Sequence, residues 1–379
     1  MRIVHRFRKH KSHIALWVML VVAVSLVLGL AAVAIATTPT LATHDLTTPG
    51  VTAATVAQEL VGPGVTISNA KFTGANAACG TFTGGAGIIS FAKGIILSSG
   101  DISVVKGPND SAYAGVENGE PGDAGLNALI ASTGYTTYDA AALEFDVTTK
   151  GKTVVFSYVF ASEEYSEYVN TKYNDVFAFW VNGHNYATVG NPAKPVSINT
   201  INNGYNNDGK TTSHPELFIN NSPQVYNTQM NGFTKKLTLV APVKPNKPNH
   251  FKLAIADTSD ARLDSDVFIK ADSLLVDNKR PTPAIKSLTV KKNKVGKIQY
   301  RVKDPAPTSG QATVIIKILK ARSTKVVKSL KLGLKDVNVW LKYSYKFKIA
   351  KGSYTFNIYA TDVSGNKQTK IGKANLQVK

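Results

Sequence analysis

Acidic side chains gather at two places in this chain. Glu163, Glu164 and Glu167 lie close together with Asn174 and Asp175 just beyond, and Asp257, Asp260, Asp264 and Asp266 form a second group. Each group borders a stretch with strand character, so one sandwich would deliver both to a shared end. Hard oxygen donors are what Ca²⁺ takes, typically six to eight of them. A divalent ion would also cancel the repulsion among carboxylates brought together. Against this stands the commoner fate of Asp and Glu, which is to sit solvated in exposed loops, and the spacing is not that of an EF-hand. The candidate Ca²⁺ ligands are Glu163, Glu164, Asp175, Asp257, Asp260, Asp264 and Asp266.

Other chemistry finds less support. A glycosidase needs two carboxylates flanking a sugar, and Glu163 with Asp175 or Asp266 would be the pair. Nucleophilic hydrolysis lacks a G-x-S-x-G motif, and the single cysteine, Cys79, has no identifiable partner. It reads instead as a small buried residue. Zinc chemistry lacks H-E-x-x-H, and His184 and His214 stand alone. Tyr165, Tyr168, Tyr173, Tyr186, Tyr205 and Tyr226 fall in or near loops, where they would either stack on sugar rings or pack with a wet hydroxyl. No catalytic residue is assigned, and the chain is not expected to be an enzyme.

The elements that would position these groups are strands. Thr153–Phe160 alternates, with Val154, Phe156, Tyr158 and Phe160 on one face, and Asp175–Val181 is apolar on both. His250–Ala256 and Val267–Ala271 are further strands, separated by Asn- and Gly-rich turns. Asp123 would cap a short helix over Asp123–Ser132. Thr313–Leu319 and Tyr354–Thr361 are strands of a second unit, with a turn at Asp362–Asn366. The expected class is all-β: a sandwich or jelly roll followed by a smaller Ig-like sandwich.

Charge divides the chain more sharply than hydrophobicity. The whole protein of 379 residues carries +19. Residues 43–278 hold 15 Lys and Arg against 22 acids, a net of −7, whereas residues 279–379 hold 24 against three (Asp304, Asp336 and Asp362), a net of +21. The reversal falls at the polar, Pro-rich stretch Asp277–Pro283, as at a linker. Ahead of both, five basic residues precede an uncharged run from Ala15 to Ala36. That is an export signature: residues 1–42 are read as a signal peptide, cleaved after an A-x-A site, or as a retained single-pass helix.

Residues 43–278 carry a series of blocks in a specific order. Leu60–Val65 (LVGPGV), Gly94–Gly100 (GIILSSG), Tyr138–Asp146 (YDAAALEFD), Phe160–Tyr165 (FASEEY), Asn174–Phe179 (NDVFAF), Val196–Thr200 (VSINT), Leu253–Asp257 (LAIAD) and Asp264–Phe268 (DSDVF) follow one another. In these blocks the chain resembles the bacterial choice-of-anchor L domain family from about Leu60 to Leu274. The resemblance implies an extracellular module joined to some means of surface attachment, with no established enzymatic activity. The C-terminal unit resembles bacterial Ig-like modules only loosely, through Ala360–Asn366.

Together these readings give an extracellular or surface-displayed binding or structural protein, adhesin-like and stabilised by Ca²⁺. Its basic C-terminal unit would contact anionic envelope polymers or surface glycans, such a positive potential being the physical consequence of +21 over 101 residues. A retained N-terminal helix would hold it to the membrane, and intracellular nucleic acid is not an expected partner. The alternative is an extracellular carbohydrate-active enzyme or lectin-like module.

Overall fold

A computed structural model describes residues 39–308 and 310–379. The apolar segment expected to be a signal or anchor helix lies, up to residue 38, outside the described residues. Among the described residues no helix is long and apolar enough to cross a membrane. Residues 39–379 form one compact unit, built almost entirely of strands.

Two large sheets face each other in the N-terminal part. The first runs in the order Ala42–Asp45, Cys79–Thr83, Lys93–Ser98, Ser265–Lys270, Thr153–Ser162, Gly232–Thr234, Phe218–Asn220. Leu237–Pro242 and Leu275–Val276 also pair with its long Thr153–Ser162 strand. The second runs Val65–Thr73, Thr137–Thr149, Asn249–Thr258, Val176–Val181, Lys194–Ser197, Thr188–Val189. Pairing among these strands is antiparallel.

Val154, Phe156, Tyr158 and Phe160 all point between the sheets, where they meet Phe177, Phe179, Phe251 and Leu253. The rings of Phe156 and Phe179 lie edge to face at 4.5 Å, a geometry that adds to the ~1.5–3 kcal/mol from burying each ring. The opposite face of the same strand is buried as well. Val159 and Ala161 pack with Phe82 and Phe268 under a cover of Ile88, Ile89 and Phe91. A strand shielded on both faces is therefore apolar throughout, as in Thr153–Ser162, where only Ser157 is partly exposed. Cys79 is fully buried and unpaired.

The short helix Ala124–Ile130 starts where expected. Asp123 accepts from the backbone N–H groups of Gly125 and Leu126 at 2.8 and 3.0 Å, which satisfies donors the helix leaves open. Leu126 and Ile130, one turn apart, bury against Ala254 and Ala256 on the outer face of the second sheet.

The C-terminal sandwich packs a three-stranded sheet (Thr282–Ile285, Val295–Lys303, Leu341–Lys346) on a five-stranded one (Leu288–Val290, Gly372–Val378, Gly352–Asp362, Gln311–Lys320, Val326–Asp336). Leu288–Val290 joins Gly372–Val378 in parallel. Ala312, Val314, Ile316 and Ile318 alternate inward, opposite Ile298, Tyr300 and Val302, while the intervening Thr313, Ile315, Lys317, Gln299 and Arg301 are exposed or half-buried. Its core is separate from those of the N-terminal part.

Candidate functional site: a buried carboxylate cluster

Strand ends bring the two acidic groups together at one end of the large sandwich. Glu163 and Glu164 directly follow Thr153–Ser162, and Asp264 and Asp266 lie at the start of Ser265–Lys270 beside it. From the facing sheet come Asp175, just before Val176–Val181, and Asp257, near the end of Asn249–Thr258. Asp175 and Asp257 stand one step beyond the paired residues Val176 and Ala256. The alternation that points Phe177 and Phe179 into the core also points Asp175 there.

The reading of these acids as solvated loop residues is corrected by the structure. Glu163, Glu164, Asp175, Asp257, Asp264 and Asp266 are each at most 3% exposed, and of the seven candidates only Asp260 is partly open to solvent. They are deep because they terminate strands that are covered on both faces. Among the described residues none of the seven forms an ion pair with Lys, Arg or His.

Hydrogen bonds satisfy part of the cluster. Asp175 accepts from the Thr258 N–H at 2.9 Å and the Ser265 hydroxyl at 2.7 Å. Asp264 accepts from the Val116 N–H on both oxygens. Among the described residues six carboxylate oxygens of the cluster have no hydrogen-bond partner: Glu163 Oε1, Glu164 Oε2, and both oxygens of Asp257 and of Asp266. Burying an ionised carboxylate without partner or counter-ion is costly, so such groups either take up a proton or are neutralised.

The electrostatics follow. Burial, then the charges of Asp266 and Asp264, push Glu163 up to about 9. Burial, then Asp175 and Asp260, push Glu164 up to about 10. Asp264 rises to about 8, chiefly through burial. Asp175 rises to about 7, burial being offset in part by the Ser265 and Thr258 hydrogen bonds. Burial holds Asp257 and Asp266 well above the usual carboxylate range. The set does not form a closed cage. Among the described residues no three of these acids place ligand oxygens within 4.8 Å of one another. A cation here would draw further donors from serines, backbone carbonyls and water.

Several surrounding residues escaped the sequence reading. Ser98 and Ser99 are buried beside the cluster, and Ser99 accepts from the Ser265 N–H at 2.9 Å. Asp139, 2% exposed and at φ +48°, accepts from the Asn118 and Glu120 N–H groups and so pins the loop that covers the cluster. Gly100 is required by close approach: a Cβ there would sit 2.0 Å from Asp264 Oδ2. The block Gly94–Gly100 contained all but Asp139, and its serines and glycine are the signal that was available.

At its surface the cluster borders an open cleft of about 380 Å³, lined by Glu164, Asp260, Glu117, Arg262 and the tyrosines Tyr113, Tyr168 and Tyr173. Tyr165, grouped with the loop tyrosines by sequence, does not reach this cleft. It is fully buried, and its hydroxyl donates to the Ile201 carbonyl at 2.7 Å.

The sequence over residues 45–275, more than half of the chain, matches the choice-of-anchor L domain. The chain belongs to the choice-of-anchor L domain family. The match covers both large sheets and every acid of the cluster, and membership points to a surface or extracellular protein. No curated protein matches. Among solved structures, fibronectin(III)-like modules of Clostridium thermocellum CbhA are 14% identical, covering 63% of this chain and 85% of theirs with a TM-score of 0.20. Murine CRIg is 16% identical over 26% of this chain and 98% of its own, TM-score 0.19. A β-1,2-glucanase from Parabacteroides distasonis is 7% identical over 64% of this chain and 32% of its own, TM-score 0.18. At such values these likenesses say nothing about function.

Proposed function

We propose that this choice-of-anchor L protein is a non-catalytic binding or structural protein of the bacterial surface. Calcium at the carboxylate cluster stabilises its large sandwich, and the basic C-terminal sandwich contacts anionic envelope polymers. The observation that carries the reading is the division of charge between two separately cored sandwiches. Acids are sunk into one end of the first, and 24 Lys and Arg are spread over the second. Two of them, Lys286 and Arg301, flank the ring of Trp340 at 4.7 and 5.0 Å, an amphipathic, cationic feature suited to a polyanion.

Attraction of this kind is screened by salt, over about 10 Å at 0.1 M and about 3 Å at 1 M. Retention of the full chain on immobilised wall teichoic acid is therefore expected to fall more than tenfold between 0.05 and 0.5 M NaCl. Retention indifferent to salt contradicts the reading.

One observation favours a lectin-like second reading. The tyrosine-lined cleft, with Tyr113 72% exposed, has the aromatic faces and carboxylates with which proteins grip sugars. A glycan array separates the two: a hit lost on Tyr113→Ala supports this reading, and a blank array with intact teichoic acid binding supports the first. Hydrolysis of a glycan, abolished by Glu163→Gln or Asp175→Asn without unfolding, would make the protein an enzyme.

A further inference from the structure

The basic sandwich has only three acids, and two of them are buried. Asp304 is 2% and Asp362 4% exposed, and they are joined by Asp277, also buried, from the end of the large sandwich. Their positions follow from strand periodicity. Ile298, Tyr300 and Val302 alternate inward along Val295–Lys303, and Asp304 is the next residue in that phase. Phe356, Ile358 and Ala360 alternate inward along Gly352–Asp362, and Asp362 takes the next inward place. An acid thus replaces the next apolar residue at the same end of both sheets, facing the joint. In a unit with 21 excess positive charges, neither Asp304 nor Asp362 has an ion pair among the described residues.

One carboxylate oxygen from each of Asp277, Asp304 and Asp362 lies within 4.8 Å of the other two. Ca²⁺ holds oxygens at 2.3–2.6 Å, so two ligands on opposite sides of one ion stand about 4.6–5.2 Å apart. Hydrogen bonds hold the three carboxylates in place and leave one oxygen over on Asp304 and one on Asp362. Thr308 donates to Asp304 Oδ2 at 2.6 Å, the Asn366 N–H to Asp362 Oδ1 at 2.7 Å, and Ser364 to Asp277 Oδ2 at 2.7 Å. Asp304 Oδ1 and Asp362 Oδ2 are buried and have no hydrogen-bond partner among the described residues. These two unpartnered oxygens, on side chains more than nine-tenths buried, are the independent sign of a ligand that a cluster of acids alone would not give.

We propose that Asp277, Asp304 and Asp362 bind a hard divalent cation, Ca²⁺ by donor type, at the joint between the two sandwiches. The ion ties the last residues of the large sandwich to strand ends of both C-terminal sheets. The same joint is already bridged by Asn366 Nδ2 donating to the Asp277 carbonyl at 3.1 Å and by Thr153 Oγ1 donating to the Ser364 carbonyl at 3.4 Å. The cation would lock the direction in which the basic sandwich projects. This site is independent of the carboxylate cluster, with which it shares no residue.

Native mass spectrometry of the full chain in Ca²⁺, with calorimetric titration, tests it. Asp304→Asn keeps the acceptor for Thr308 and removes one charge; it is expected to bind one Ca²⁺ fewer than the wild type. The double variant Asp257→Asn, Asp266→Asn, which disables the other cluster, is expected to retain one bound ion. Should Asp304→Asn fail to fold, that retained ion decides the matter. Wild-type stoichiometry in Asp304→Asn, or no ion in the double variant, overturns the site. Failure of the large-sandwich cluster alone reads differently: the wild type then binds one ion, and Asp304→Asn binds none.

Discussion

Stripped of divalent cations, the large sandwich is expected to lose stability as pH rises from 5 to 8. Burial, aided by neighbouring carboxylates, pushes Glu163, Glu164, Asp175 and Asp264 up to about 9, 10, 7 and 8, against ordinary values of 4.5 for Glu and 3.8 for Asp. Between pH 4 and these raised values the folded state holds protons that the unfolded state has released. Stability is then fully present below the unfolded values and is lost as pH climbs toward the folded ones. Each group so held contributes about 1.4 kcal/mol per pH unit. Against the ~5–15 kcal/mol that a domain possesses, even one or two such groups would lower stability measurably. Thermal melts in chelator across this window should show a steady fall in Tm. A Tm that rises toward pH 8 in chelator would mean the carboxylates are solvated or paired with positive charge.

The second large effect concerns Asp257 and Asp266, whose four carboxylate oxygens have no partner in good hydrogen-bond geometry among the described residues. Asp257→Asn together with Asp266→Asn removes two buried ionisable groups while nearly keeping shape. At pH 8 in chelator the double variant is expected to melt higher than the wild type, because it no longer has to bury two groups that ionise when unfolded. In excess Ca²⁺ the wild type should rise and the variant should not rise with it. An ion at 100 times its Kd adds about 2.7 kcal/mol, or about 5–10 °C for a sandwich of this size, and the variant forgoes that gain. Differential scanning calorimetry of both proteins in both conditions reads all four values. A variant less stable than the wild type in chelator as well would assign these residues an ordinary packing role.

Much of this arrangement was legible in the residues, and its limits are instructive. Thr153–Phe160, His250–Ala256 and Tyr354–Thr361 announce themselves by alternation, and Asp123 marks its helix by being a short oxygen-bearing residue ahead of Leu126 and Ile130. The acids bordering those strands were found for the same reason. Their depth was not, because local alternation does not reveal that the outer face of Thr153–Ser162 is itself covered by Ile88, Ile89 and Phe91 from a distant segment. Tyr165 was misplaced through the same gap, being adjacent to a charged pair yet turned into the core against Phe218.

Asp304 and Asp362 show the opposite case. Counted only as charge, they were passed over, although each continues an inward-facing alternation of apolar residues by one more step. An acid in the core phase of a strand is a stronger sign than an acid in a loop, because its burial is dictated by the neighbours two and four residues away. Their meeting with Asp277 depends on how two sandwiches abut, which no spacing in the sequence encodes.

Under the proposed function an inorganic cation, rather than a proton or a basic side chain, neutralises the sunken acids of the large sandwich. Calorimetric titration of chelator-treated protein with CaCl₂ at pH 8, read alongside its melting temperature, addresses this most directly. Saturable binding with a Tm gain of at least about 5 °C is expected, and the Asp257→Asn, Asp266→Asn variant should bind one ion fewer and lose that gain. No heat and no shift at millimolar Ca²⁺ would contradict it.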